Sequence, residues 1–133
     1  MKTPECAYSL VIPLHNEAES LKPLLEEILQ TMTPFNERYE IIFVDDDSSD
    51  KSRVILEDFQ KQLPEIIKTI FLTKRSGQTF VLKEGLMAVS GEVIITLDAD
   101  LQNDPADIPQ LLEKMEEGFD CVCGWRKNRQ DSF

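Results

Sequence analysis

The 133 residues suffice for one domain with a buried core, and 41% hydrophobic with 29% charged is an ordinary globular balance. The 25 acidic residues outweigh 14 basic ones, and a net charge of −11 argues against a general nucleic-acid binder, which needs a basic face. No apolar stretch approaches the roughly 20 residues of a membrane-crossing helix, and Met1 to Glu5 leads straight into a strand with no signal peptide.

Strands and helices alternate along the chain. Tyr8 to Pro13 reads as strand one. Helical spacing of Ala18, Leu21, Leu25, Ile28, Leu29 and Met32 predicts a helix over 16–32, with Asn16 as its cap and Glu19 completing a capping box. Glu40 to Val44 is strand two. Ser48 or Ser49 is expected to cap the next helix, which buries Ile55, Leu56, Phe59 and Leu63. Ile66 to Leu72 is strand three, and Ser76-Gly77-Gln78 opens a helix to about Val89. Val93 to Leu97 is strand four. Asp104-Pro105 starts a helix with Ile108, Leu111, Leu112 and Met115 on its buried stripe. Phe119 to Gly124 reads as strand five, with Cys121 and Cys123 on one face. Those two and Cys6 lack a disulfide or zinc pattern, so they are expected as reduced, partly buried thiols. Five strands joined by helices imply an α/β fold with a doubly wound, mainly parallel sheet.

In such sheets ligands collect where strands end. The most informative triplet, Asp98-Ala99-Asp100, stands where strand four runs into a loop. Two carboxylates there can hold a hard divalent cation that also touches a diphosphate. The loop after strand one, Pro13-Leu14-His15-Asn16-Glu17, offers a ring for stacking or hydrogen bonding, or merely an exposed histidine. After strand two, Asp45-Asp46-Asp47-Ser48-Ser49-Asp50 crowds four carboxylates. Asp45 and Asp46 are placed to face a ligand, and the later ones to cap a helix. The third loop, Lys74 to Thr79, has Gly77 for a tight turn and Arg75 to reach a base or phosphate, or to stand as a surface arginine. It lacks the P-loop pattern. Beyond strand five, Gly124-Trp125-Arg126-Lys127-Asn128-Arg129 is either a phosphate clamp or a solvated basic tail.

Taken together, Val11 to Glu17, Ile41 to Asp50, Ser76 to Thr79, Leu97 to Pro105 and Gly124 to Arg129 resemble the inverting family-2 glycosyltransferases, in the polyprenyl-phosphate branch that includes dolichol-phosphate mannose synthases and undecaprenyl-phosphate sugar transferases. The resemblance implies a GT-A fold, a nucleotide-sugar donor (UDP-sugar favoured, GDP-mannose possible), Mg²⁺ or Mn²⁺, and a polyprenyl-phosphate acceptor. It implies a nucleotide pocket of Pro13, His15, Glu17, Val44, Asp45, Asp46, Arg75, Gly77, Gln78, Asp98 and Ala99. Asp98 and Asp100 would hold the metal with Gln102 assisting. Arg126 and Arg129 would meet the acceptor phosphate, and Asp100 and Arg126 would act in catalysis. Many family members have Tyr where His15 stands.

On this reading residues 1–124 form the nucleotide-sugar-binding domain and 125–133 begin the acceptor loop of a longer enzyme. That enzyme would be cytoplasmic, at the cytoplasmic face of a membrane, in a homo-oligomer or alone. The chain by itself is expected to bind donor and to transfer poorly. The competing readings are a non-catalytic nucleotide-binding remnant, a receiver-type signalling module and a sugar nucleotidyltransferase. A receiver needs an acidic pair after strand one and a lysine after strand five, and a nucleotidyltransferase needs a glycine-rich basic loop after strand one. None of these is present.

Overall fold

The computed structural model describes residues 6–35 and 38–123. Four of the expected strands are present: β1 (Tyr8–Leu14), β2 (Tyr39–Asp45), β3 (Ile67–Phe71) and β4 (Val93–Thr96). The helices between and after them are α1 (Ala18–Met32), α2 (Ser52–Gln62), α3 (Gln78–Met87) and α4 (Ile108–Glu116). A 3-10 turn at Thr33–Phe35 ends α1, and another at Pro105–Asp107 leads into α4. Asp104 caps that second turn by accepting from the Ala106 amide.

The sheet is wholly parallel, in the order β3-β2-β1-β4. β1 and β2 lie inside it, and β2 is buried along its whole length, as its unbroken apolar run requires. One face carries Leu10, Ile12, Ile41 and Phe43, packed against Leu21, Leu24 and Ile28 of α1, Leu56 and Phe59 of α2, and Ile108 and Leu112 of α4. The opposite face packs Ile42 and Val44 against Val81 of α3. Gly85 lets α3 lie close to the sheet: a Cβ there would overlap Val11 and come within 3.1 Å of Val44.

At the amino end of the strands Glu40 is buried in a polar knot. It accepts from the Ser9 hydroxyl and the Ser90 amide, each at 2.6 Å, and pairs with Lys68 at 2.6 Å. The knot ties three strands to the turn that enters β4.

Three expectations are corrected. Residues 119–123 form no strand: they pair with no described strand, and Phe119, Cys121 and Cys123 are exposed rather than turned inward. Alternation alone does not make a strand without a neighbour to take its backbone groups. The same exposure corrects the burial of Cys121 and Cys123, while Cys6 is half-buried. The caps differ too. Asn16 does not cap α1, and neither Ser48 nor Ser49 caps α2, because each bonds across to the other's loop. Gly124, Trp125, Arg126, Lys127 and Arg129 lie outside the described residues.

Candidate nucleotide and metal site

All four strands run the same way, so their carboxyl ends share one edge of the sheet. The loops leaving them enclose an open cleft of about 350 Å³. Pro13 and Leu14 come from the end of β1, His15 and Glu17 from the first loop, Asp46 from the second, Arg75 from the third, Gln78 and Val81 from α3, and Asp98, Ala99 and Asp100 from the fourth loop. Nine of the residues anticipated from sequence therefore meet in one place. Leu14 and Val81 join them unforeseen; the only signal for Val81 was its place on the apolar face of α3.

The first two loops are cross-braced. The Asn16 side-chain oxygen accepts from the Ser49 amide at 2.8 Å and the Asp50 amide at 3.2 Å. In return the Asn16 amide donates to the Ser48 hydroxyl, the Glu17 amide to the Ser52 hydroxyl, and the Ala18 amide to Asp50. Asp50 thus satisfies the first amide of α1 from across the gap, and the other bonds hold N–H groups in the turns just before the two helices. Asp50 also takes the Ser52 amide. Burial alone would raise its carboxyl, but the bonds from Ser52 and Ala18 hold it below the usual range. Asn16 and Asp47 both have φ of +54°, a left-handed conformation that Asn and Asp tolerate.

Asp45 is fully buried and accepts from the Ser48 amide and hydroxyl. Val44 packs under α3. Neither lines the cleft. Asp46 does, yet its carboxylate is occupied: it accepts from the Ser76 amide at 2.7 Å, the Gly77 amide at 3.1 Å and the Arg75 Nε at 3.3 Å. Gly77 has φ of +90°, which brings two consecutive N–H groups onto one carboxylate. Asp46 thus holds the third loop in place and pairs with Arg75, whose side chain lines the cleft. Gly77 itself does not line the cleft.

In the fourth loop the Asp98 amide donates to the Asn103 side chain at 3.0 Å, and the Gln102 amide donates to Asp100 Oδ1 at 3.1 Å. Leu101 between them has φ of +65°, an uncommon conformation for a bulky residue. Asn103 was legible only as part of the run that follows the acidic triplet. Glu17 faces the pair from the first loop. Its carboxyl lies above the usual range, pushed up by burial and then by the charge of Asp100.

Among the described residues no lysine or arginine pairs with Asp98 or Asp100. None gathers three or more His, Cys, Asp or Glu ligands. The chain therefore offers two hard carboxylate ligands, leaving the rest of a coordination shell to water and ligand oxygens. That donor set fits a hard divalent cation. Gln102 is exposed beside them and does not line the cleft. Among the described residues Arg75 is the one cation in a lining that includes Glu17, Asp46, Asp98 and Asp100.

The chain is 48% identical, over 94% of its length, to an undecaprenyl-phosphate 4-deoxy-4-formamido-L-arabinose transferase of Photorhabdus laumondii, and spans 38% of that protein. Among solved structures it resembles Staphylococcus aureus TarS 1-349 in complex with UDP-GlcNAc, with a TM-score of 0.69 at 22% identity, over 84% of this chain and 31% of that one. It also resembles the mannosyltransferase PcManGT of Pyrobaculum calidifontis in complex with GDP-Man and Mn²⁺, with a TM-score of 0.66 at 24% identity, over 75% and 29%. These likenesses establish the GT-A fold. Residues 9–133 match the family described as glycosyl transferase family 2, and with nearly the whole length covered the chain belongs to that family.

Proposed function

We propose that this chain is the donor-binding part of an inverting glycosyltransferase that moves a sugar from a nucleoside diphosphate, UDP before GDP, to a polyprenyl phosphate. The observation that carries this is the carboxylate pair at the end of β4, brought into one cleft with His15, Arg75 and Gln78. The acceptor class is supported by the name of the Photorhabdus relative. A nucleoside diphosphate sugar is supported by neighbours in complex with UDP-GlcNAc and GDP-Man, and UDP is placed first on the likeness to undecaprenyl-phosphate sugar transferases. The chain spans little more than a third of that relative, so turnover belongs to the longer protein.

Pro13, His15 and Val81 form the less polar wall for a base. Arg75, oriented by Asp46, is left to meet the ribose or phosphates. Asp98 and Asp100, with Gln102 alongside, would hold a divalent cation, which when bound supplies positive charge to the departing nucleoside diphosphate. Among the described residues of the cleft one arginine faces four carboxylates, which without a cation repel such a ligand. The acceptor phosphate is already ionised, so its oxygen attacks the anomeric carbon without a strong general base and inverts it. Arg126 and Arg129 are assigned to that phosphate, and Arg126 with Asp100 to the reacting centre. The work is placed at the cytoplasmic face of a membrane because the acceptor is a lipid; among the described residues no helix is long and apolar enough to cross one.

Isothermal titration with UDP and GDP, with and without Mn²⁺, tests the reading. UDP should bind only with the cation, and Asp98→Asn or Asp100→Asn should weaken it at least ten-fold. Cation-independent binding untouched by both substitutions would remove the metal assignment, and a clear preference for GDP would reverse the choice of nucleotide.

A further inference from the structure

The ring of His15 is held at both nitrogens. Nδ1 lies 2.8 Å from the Asp46 carbonyl oxygen. A carbonyl can only accept, so Nδ1 carries the proton. Nε2 lies 3.2 Å from the Asn16 side-chain nitrogen. The orientation of that amide is not a free choice, because its oxygen already accepts from the Ser49 and Asp50 amides. Turning it over would set an NH₂ group against two N–H donors. The NH₂ group therefore donates to Nε2, which must be bare.

We propose that Asn16 is a positioning residue: by donating to Nε2 it fixes His15 as the neutral Nδ1–H tautomer, so that the ring serves as a stacking plate for the donor's base and not as a proton carrier or metal ligand. The stacking role rests on the nucleotide reading above; the tautomer does not. With both in-plane nitrogens engaged, the ring's face and C–H edges are what it can offer the cleft it lines. A proton or metal arriving at Nε2 would have to displace the Asn16 amide, whose oxygen carries part of the brace between the first two loops. The left-handed φ of +54° at Asn16 is what lets one short side chain reach His15 and the second loop together.

His15 is the only histidine in the chain, so its nitrogens can be read without overlap. Two-bond ¹H–¹⁵N correlation spectra of the ligand-free chain at pH 8 should show Nδ1 protonated and Nε2 bare, the minority form of a free imidazole side chain. A majority of the Nε2–H form would overturn the proposal. Asn16→Asp keeps the acceptor for the Ser49 and Asp50 amides and reverses the group facing Nε2. The Ser49 hydroxyl, which accepts from the same nitrogen at 3.3 Å, can turn to donate instead, so Nε2 should gain a proton. If it stays bare, Asn16 does not set the tautomer. For the stacking role, His15→Phe should keep UDP affinity in Mn²⁺ within about three-fold, while His15→Ala weakens it roughly ten-fold or more. Equal losses in the two variants would overturn stacking. Failure of the unaltered chain to bind any nucleotide would remove stacking together with the nucleotide reading, and the ligand-free spectrum would still decide the role of Asn16.

Discussion

Half-buried at the rim of the cleft, Glu17 has its carboxyl pushed above the usual range by burial and by the negative charges of Asp100 and Asp50. A carboxyl raised in the folded state opposes folding once it is ionised. Its penalty is absent below the ordinary carboxylate range and grows as pH rises through the folded value. Glu17→Gln should therefore raise the melting temperature at pH 7, and the difference should close near pH 4 and below. A gap independent of pH would show that the charge is not the cause. Asp46 belongs to the same scale. Its position after a strand was legible, but its occupation by Ser76, Gly77 and Arg75 was not, because those donors come from a loop about 30 residues away.

Among the elements, α3 depends on a single hydrogen atom. Gly85 has no room for a methyl group against Val11 and Val44. Gly85→Ala should lift the helix and cost about 1–3 kcal/mol, readable as a lower denaturant midpoint. It should also weaken nucleotide binding, since α3 carries Gln78 and Val81. An unchanged midpoint would mean that α3 can shift without cost. At the other end of the strands, burial alone would raise the Glu40 carboxyl, but Lys68, Ser9 and Ser90 outweigh it and hold it below the usual range. The stability this gives is present above the ordinary carboxylate value and lost as pH falls through the lower folded one. Glu40→Gln should cost about 2 kcal/mol at neutral pH and progressively less in acid, by urea denaturation across pH 3 to 7. A constant difference would assign the effect to packing.

The elements themselves were legible where periodicity was long: strands 1 to 4 and all four helices lie within a few residues of their predicted spans. Strand five was not, because alternation in Phe119, Cys121 and Cys123 describes a pattern and says nothing about a partner. The caps misled for a related reason. Asn16, Ser48 and Ser49 are good cap residues, and sequence-local reasoning gave each to its own helix. The fold sets the two helix starts side by side, and the donors across the gap won.

For the whole molecule the parallel order β3-β2-β1-β4 is what makes a site of four separate motifs. β1 is flanked by β2 on one side and β4 on the other, so the loops after β1 and β4 open into the same crevice. Sequence reading could place each motif at a strand end but not at a neighbouring one; the strand order did that. A net charge of −11 acts at this scale as well. Raising NaCl from 20 to 500 mM should raise the melting temperature of the ligand-free chain by screening self-repulsion. A fall would show that the ion pairs at Glu40 and Asp46 matter more than the net charge.

The strand that delivers Asp98 and Asp100 is short, and among the described residues β1 is its only neighbour. Its backbone amides should be the quickest of the four strands to exchange with deuterium, because fraying there breaks few bonds. Any cation that grips both carboxylates then grips the frayed end, and free energy of binding becomes free energy of docking. Exchange at Ile94 to Leu97 should slow when Mn²⁺ and UDP are added together, while β2 stays as it was. The coupling also runs backwards: loosening β4 at its far end, through Ser9 or Gly91, should weaken the cation without touching a ligand atom.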